Sequence, residues 1–283
     1  MTIKLVASDI DNTLLTPDKK LTARTIAAIH AARKQGVHVV LCTGRPLTGV
    51  APLLEQLGLT SASDYVITLN GAQVQRATGE QLFASTIPLS EYQQLVPYFT
   101  RIGINMHMVT LDSNVYVHQP DVGYYTVFDT YHTKMHLHVI PLNQLPADIQ
   151  IAKYMMADEP AKIDAAIRQL PTAITKHFYC VRSERFFYEL LNKQATKGNA
   201  VIALADHLAV TADEVMTLGD ENNDLPMITR AGLGVAMGNA NSQVKAAAQA
   251  VTTDNNHDGV ARAIEKYVLT PSKTDHPASG KDR

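Results

Sequence analysis

The segment IKLVASDIDNTLL, residues 3–15, opens as a short apolar run and ends on two carboxylates, Asp9 and Asp11, with Asn12 and Thr13 turning the chain. A brief apolar run bounded by turn residues reads as a strand buried on both faces, the habit of parallel sheets. Downstream, VHVVLC (37–42) repeats the pattern and stops at Thr43. Between the two, TARTIAAIHAARKQG (22–36) sets Ile26, Ile29 and Ala32 on one helical face and ends on Gly36, a residue suited to a helix C-terminus. Strand, helix and strand make a right-handed crossover unit.

The alternation continues with a helix over 51–58 and a strand over 65–69, ahead of the Asn70-Gly71 turn. It resumes near the far end with helices over 198–208, 224–231 and 241–249 and strands over 214–218 and 233–236. The middle has a different texture. VYVH (115–118) and MHLHV (135–139) alternate apolar and polar residues, and a helix is expected over 160–170. Alternation points to an antiparallel sheet with one wet face. The expected fold is α/β: a Rossmann-like doubly wound parallel sheet core from residues 1–84 and 190–270, with an inserted α/β cap domain containing an antiparallel sheet over 85–189. Residues 271–283 (PSKTDHPASGKDR) lack the apolar content to bury a helix or strand and are expected to be disordered.

The 283 residues include 25 Lys+Arg and 27 Asp+Glu, a net charge of −2, with 46% apolar and 18% charged residues. Near-neutral charge without a basic cluster supplies no electrostatic footprint for nucleic acid or an anionic membrane. The opening MTIKLVASDIDNTLL has none of the parts of a secretory signal, and no run approaches the ~20 apolar residues that cross a bilayer. Cys42 and Cys180 lie far apart and suggest no disulfide scaffold, so a reducing cytoplasm is the expected location.

Three expected core strands end on residues able to do chemistry: Asp9, Thr43 and Asp220. Ligands of open parallel sheets bind beyond the carboxyl ends of the strands, so the three are expected to converge across more than 200 positions. A carboxylate held at a strand end can attack phosphorus and form an aspartyl phosphate. The second acidic group, Asp220-Glu221-Asn222-Asn223-Asp224, offers oxygen ligands to a hard cation such as Mg²⁺, which would shield one anion from another. Thr43-Gly44 can bring a hydroxyl and a backbone N–H to a phosphate oxygen, and Lys197-Gly198 opens a helix with a positive side chain. Taken singly, each piece reads as a solvated turn, loop punctuation or an exposed lysine; in this order, each after a strand or at a helix start, they point to one site.

These four motifs, DIDNTLL (9–15), TGRP (43–46), KG (197–198) and GDENND (219–224), resemble the haloacid dehalogenase superfamily of phosphatases, in its Cof-type members with a large α/β cap. The surrounding text, ITLNGAQVQ (67–75), FYELLNKQATKG (187–198) and GVARAIEKYVL (259–269), is most similar to that group's broad-specificity bacterial sugar phosphatases. The resemblance, spanning Lys4 to Leu269, implies a small phosphorylated substrate, Asp9 as nucleophile and Mg²⁺ ligand, and Asp11 as general acid/base and metal ligand through its backbone carbonyl. It further implies that Thr43, Gly44, Lys197 and Asn223 bind phosphate, that Asp220 binds Mg²⁺, and that Asp224 supports the metal from behind or through a water. Asn12 stands where these enzymes usually have Gly, and Asn tolerates left-handed backbone better than most residues. The same residues would serve a phosphotransferase or phosphomutase that passes the phosphoryl group to a second sugar, or a non-catalytic sugar-phosphate sensor.

Other features carry less. His177, Tyr179, Arg182 and Arg185 are candidate substrate-choosing cap residues, with surface placement as the plain alternative. His132, His136 and His138 could suggest a transition-metal site, but the last two alternate along an expected strand and read as its wet face. Cys42 reads as a small core residue, and Met155-Met156 as part of the cap core.

Overall fold

The structure, a computed structural model, describes residues 2–270. The tail over 271–283, expected to be disordered, lies outside the described residues. The chain runs from β1 (Leu5–Ser8) through α1 (Ala23–Lys34) to β2 (His38–Cys42), and through α2 (Leu47–Gln56) to β3 (Tyr65–Thr68). It then turns into the hairpin β4 (Gln73–Arg76) and β5 (Gln81–Ala84). The middle holds α3 (Leu89–Arg101), β6 (Met106–Thr110), β7 (Asn114–Val117), α4 (Tyr124–Thr133), β8 (His136–Val139), β9 (Ile151–Ala157), α5 (Pro160–Gln169), α6 (Thr172–His177), β10 (Tyr179–Glu184) and β11 (Phe187–Leu191). The return adds α7 (Lys197–His207), β12 (Val215–Gly219), α8 (Leu225–Arg230), β13 (Leu233–Ala236), α9 (Ser242–Ala247), β14 (Ala250–Val251) and α10 (Gly259–Ile264).

The first sheet has eight strands in the order β14-β13-β12-β1-β2-β3-β4-β5, parallel from β14 to β3 and antiparallel through the last two. The doubly wound expectation holds. Successive residues of β1 serve opposite faces: Val6 packs with Ile29 of α1 and Val260 of α10, while Leu5 and Ala7 pack with Val201 and Leu204 of α7. Cys42 belongs to this second face, as a small core residue. The strand order reverses between β1 and β12, and such a reversal opens a crevice at the carboxyl ends.

The second sheet runs β10-β11-β9-β6-β7-β8 and is antiparallel, as expected, in four of its five pairings, the departure being β7 and β8, which pair in parallel, Asn114 with His136 through Val117 with Val139. The alternation in VYVH and MHLHV reports one-sided burial, which is the same for either strand direction. Direction is set by the connection, and here helix α4 carries the chain back across the sheet, as a parallel pair requires. Besides the helix expected over 160–170, found as α5, the helices α3, α4 and α6 also lie in this region. The sheet takes in Leu190 and Leu191, so the chain leaves it two residues later than the expected 189. The pleat splits the methionine pair: Met156 packs in the main core of this sheet with Tyr92, Phe99 and Tyr154, while Met155 packs on the other face with Ala157 and Phe187. The face bearing Val109, Ala152 and Leu191 rests on Leu69 and Ala72, just beyond β3, which sets the second sheet over the end of the first. Among the described residues, no helix is long and apolar enough to cross a membrane.

Candidate active site

Asp9 leaves β1 and Asp220 leaves β12, the two strands on either side of the reversal, and the Asp9 N–H donates to the Leu218 carbonyl at 3.0 Å. Of the three residues expected to converge, Asp9 and Asp220 are brought together here. Lys197, the first residue of α7 and fully buried, donates to Asp9 Oδ1 at 2.6 Å and to Asp224 Oδ1 at 2.7 Å. The other Asp224 oxygen accepts from the backbone N–H groups of Asp220 (2.8 Å) and Glu221 (3.1 Å), so this carboxylate ties the acidic loop to the lysine. Asp220 Oδ1 accepts from Thr13 Oγ1 at 2.7 Å. Carboxylate oxygens of Asp9, Asp220 and Asp224 lie within 4.8 Å of one another, the one group of metal-compatible side chains among the described residues.

The electrostatics follow from this crowding. Burial raises the Asp9 carboxyl well above its ordinary value; Lys197 opposes, and Asp224 and Asp220 push it up again. Asp220 is lifted to about 7 by burial first and then by Asp224, against the Thr13 hydrogen bond. Burial disfavours the Lys197 ammonium, yet Asp224 and Asp9 outweigh it and hold the lysine charged. Three buried carboxylates with one ammonium are short of positive charge. A hard divalent cation would supply it, and the all-oxygen donor set fits Mg²⁺.

Asp11 is placed apart from this cluster by its own partners. Its carboxylate accepts a two-pronged pair from Arg45, at 2.8 and 2.7 Å, and a third bond from Lys19 at 2.8 Å. Burial would raise its pKa, but these two cations win and hold it below the usual value. Asn12 takes φ +60°, the left-handed turn expected of it, and its carbonyl accepts from Asn239 at 2.8 Å.

Thr43 and Gly44 follow β2. The Thr43 hydroxyl oxygen accepts from the Arg45 N–H at 3.2 Å, and the Thr43 carbonyl accepts from the Asn70 N–H. A Cβ on Gly44 would press to 3.0 Å from the Asn70 side chain. Asn223 Nδ2 donates to that same side chain, at Oδ1, at 3.1 Å. Gly44 and Asn223, read as phosphate-binding, therefore share one neighbour, Asn70.

Sequence reasoning missed several participants. Gly198 is required by packing rather than by a ligand, since a Cβ there would overlap the Pro226 carbonyl, and Gly219 likewise leaves room for the Asp224 carboxylate. Arg45 lies inside the quoted TGRP and Lys19 shortly after DIDNTLL, and neither was given a role. Lys153 and Glu189 are single charges inside strands that are otherwise apolar, IAKYMMA and FYELL, and that isolation was the signal available. Of the four candidate cap residues, Tyr179 is near enough to Lys197 and Asp224 for their charges to act on its phenol, which burial pushes up to about 12. His177 pairs with Glu91 and Arg182 with Asp164 on the surface, and Arg185 is exposed. His132 bonds its own helix at Phe128, His136 is exposed, and His138 bonds Asn114, so the three histidines form no metal group.

Comparison with known proteins places this geometry. The haloacid dehalogenase-like hydrolase family matches residues 6–264. YxeH of Bacillus subtilis (strain 168), provisionally named a phosphatase, is 41% identical over 267 residues, covering 94% of this chain and 98% of that protein. A haloacid dehalogenase-like hydrolase from Bacteroides thetaiotaomicron superposes with a TM-score of 0.81 at 27% identity, over 94% of this chain and 99% of the other. The sugar phosphatase BT4131 superposes at 0.74 and 25% identity, over 93% and 98% of the two chains. With a match that spans both sheets and every motif, the chain belongs to the haloacid dehalogenase-like hydrolases.

Proposed function

We propose that this phosphoric monoester hydrolase is a Mg²⁺-dependent phosphatase of small phosphomonoesters, foremost sugar phosphates, working through an aspartyl phosphate on Asp9. The observation that carries the reading is the buried Asp9–Lys197–Asp224 chain at the strand-order reversal, with Asp220 beside it. Likeness to a protein named a sugar phosphatase supports the substrate class.

Asp9 attacks phosphorus in line, forming an O–P bond as the bond to the sugar oxygen breaks, and Asp11 gives that oxygen a proton. Water then attacks the same phosphorus, Asp11 takes the water's proton, and the Asp9–phosphorus bond breaks to release phosphate. Lys197 neutralises charge on the transferring oxygens and, through Asp224, fixes the loop that carries Asp220. Asp9, Asp220 and the Asp11 carbonyl would hold Mg²⁺, which when bound neutralises charge on the nucleophile and on the phosphoryl oxygens. Arg45 and Lys19 hold Asp11 as a carboxylate, the form that accepts the water's proton; the donor form of the first half-reaction requires these cations to turn to another anion, which the substrate phosphate supplies.

The test is phosphate release from a panel of aryl and hexose phosphates, with Mg²⁺ or EDTA, for the native chain and Asp9→Asn. Release that needs Mg²⁺ and disappears in a folded Asp9→Asn variant is expected. Substantial release by that variant would overturn the nucleophile, and release unaffected by EDTA would overturn the metal.

A further inference from the structure

Two buried ionisable groups take no part in the chemistry above. Lys153 on β9 and Glu189 on β11 are almost completely buried and form an ion pair at 2.9 Å. Their strands pair antiparallel with Glu189 opposite Met155, so Lys153 is the diagonal neighbour on the same face, the face that rests on Leu69–Ala72. The pair therefore points out of the second sheet into the end of the first. Lys153 reaches the Gly44 carbonyl at 3.4 Å, and the second Glu189 oxygen accepts from Asn70 Nδ2 at 2.9 Å.

This contact has a direction. An ionised carboxylate only accepts, so the Asn70 amide must turn its NH₂ to Glu189 and its oxygen the other way. That oxygen meets the NH₂ of Asn223, which must then turn its donor edge to Asn70. Glu189 thus sets the orientation of two amides in succession, the second belonging to a residue read as phosphate-binding. Asn70 itself sits at φ +56°, and Gly71 beside it at φ +91° has no room for a Cβ because of the Thr196 backbone, so the loop that carries the relay has little freedom.

We infer that Glu189, neutralised by Lys153, is a positioning residue: through Asn70 it fixes which edge of the Asn223 amide faces the phosphate site, so the second sheet presets the phosphate cradle of the first. The inference rests on the phosphatase reading for the identity of the ligand. It differs from a plain structural ion pair in one respect: what matters is an acceptor at position 189, and the effect passes through Asn223.

The test compares two double variants of the full chain, each removing both charges together so that neither leaves a lone buried ion. Lys153→Met/Glu189→Gln keeps an acceptor, and Lys153→Met/Glu189→Leu removes it. Inorganic phosphate binding in the presence of Mg²⁺, followed by calorimetry, needs no turnover. The Leu pair is expected to bind phosphate about tenfold more weakly than the Gln pair, the worth of one net hydrogen bond. In an Asn223→Ala background the difference between the pairs is expected to shrink below about twofold, as coupling through that residue requires. Asn70→Gly, which suits the left-handed backbone and cuts the relay at its next link, should reproduce the loss should the Leu pair fail to fold. Equal phosphate affinity of the two pairs, a difference that persists without Asn223, or no phosphate binding by the native chain would overturn the inference. Native phosphate binding with no ester hydrolysed would instead count against the phosphatase reading alone.

Discussion

Replacing Lys197 with Met tests the electrostatic account of the site directly. The side chain is fully buried, and its ammonium makes two short bonds, 2.6 Å to Asp9 and 2.7 Å to Asp224. Methionine preserves the bulk and deletes the charge, leaving three carboxylates within 4.8 Å of one another without a buried cation. Breaking a buried pair by removing one partner costs about 3–5 kcal/mol. At roughly 2–4 °C per kcal/mol for a chain in this size range, the melting temperature in EDTA at pH 8 should fall by about 6–20 °C. The pH dependence has a definite sign. Burial and neighbouring carboxylates already raise Asp9 and Asp220, and losing Lys197 raises them further. A carboxyl with a raised folded-state pKa binds its proton more tightly folded than unfolded, so its penalty is present above that pKa and is relieved as pH falls through it. With Asp220 already at about 7, the gap between native and variant should narrow between pH 8 and pH 5.5. Thermal and urea unfolding at both pH values measure it. A variant that melts within 3 °C of native at pH 8 (against the ~6 °C minimum above), or a gap that widens on acidification, would refute the reasoning.

Gly198→Ala places a Cβ into the Pro226 carbonyl and must push α7 away, so it should cost about 1–3 kcal/mol and lower kcat/KM by displacing Lys197; Gly36→Ala meets no neighbouring atom but strains a backbone at φ +81°, so it should cost about 1–2 kcal/mol of stability and leave kcat/KM unchanged. Asn12→Val forces a β-branched residue to φ +60° and should destabilise by about 1–2 kcal/mol in urea unfolding, whereas Asn12→Gly should stay within about 1 kcal/mol of native. Thiol titration should find one slow cysteine per folded chain, the half-buried Cys180, with Cys42 reacting only in urea, because burial pushes its thiol far up and excludes the reagent.

Much of the core was legible because its information is local. Each inner strand of the first sheet, from β1 to β3 with β12, is a short run with burial on both faces, and each helix carries its own period, so β1, α1 and β2 declare themselves within a few residues of chain. Asp9 and Asp220 were findable because the parallel-sheet rule names the place, the carboxyl ends beside the reversal, and each stands one residue beyond its strand. Asn12 was legible as a left-handed turn for the same local reason.

Local stretches of sequence thus carry the α/β class, five of the six parallel strands of the core (all but the two-residue β14), and the residue types that gather at their ends. Tertiary structure alone decided who bonds to whom. A pattern of period two cannot encode strand direction, so the parallel pairing of β7 and β8 awaited the passage of α4. Asp224 read as a metal-supporting group, and only the fold showed both its oxygens taken by Lys197 and two backbone amides. Arg45 reaches Asp11 from 34 positions away, and Glu189 reaches Asn70 from 119. Such partnerships depend on how two sheets stack, a packing outcome set by side-chain volume and charge across the whole chain, and no local stretch of sequence contains it.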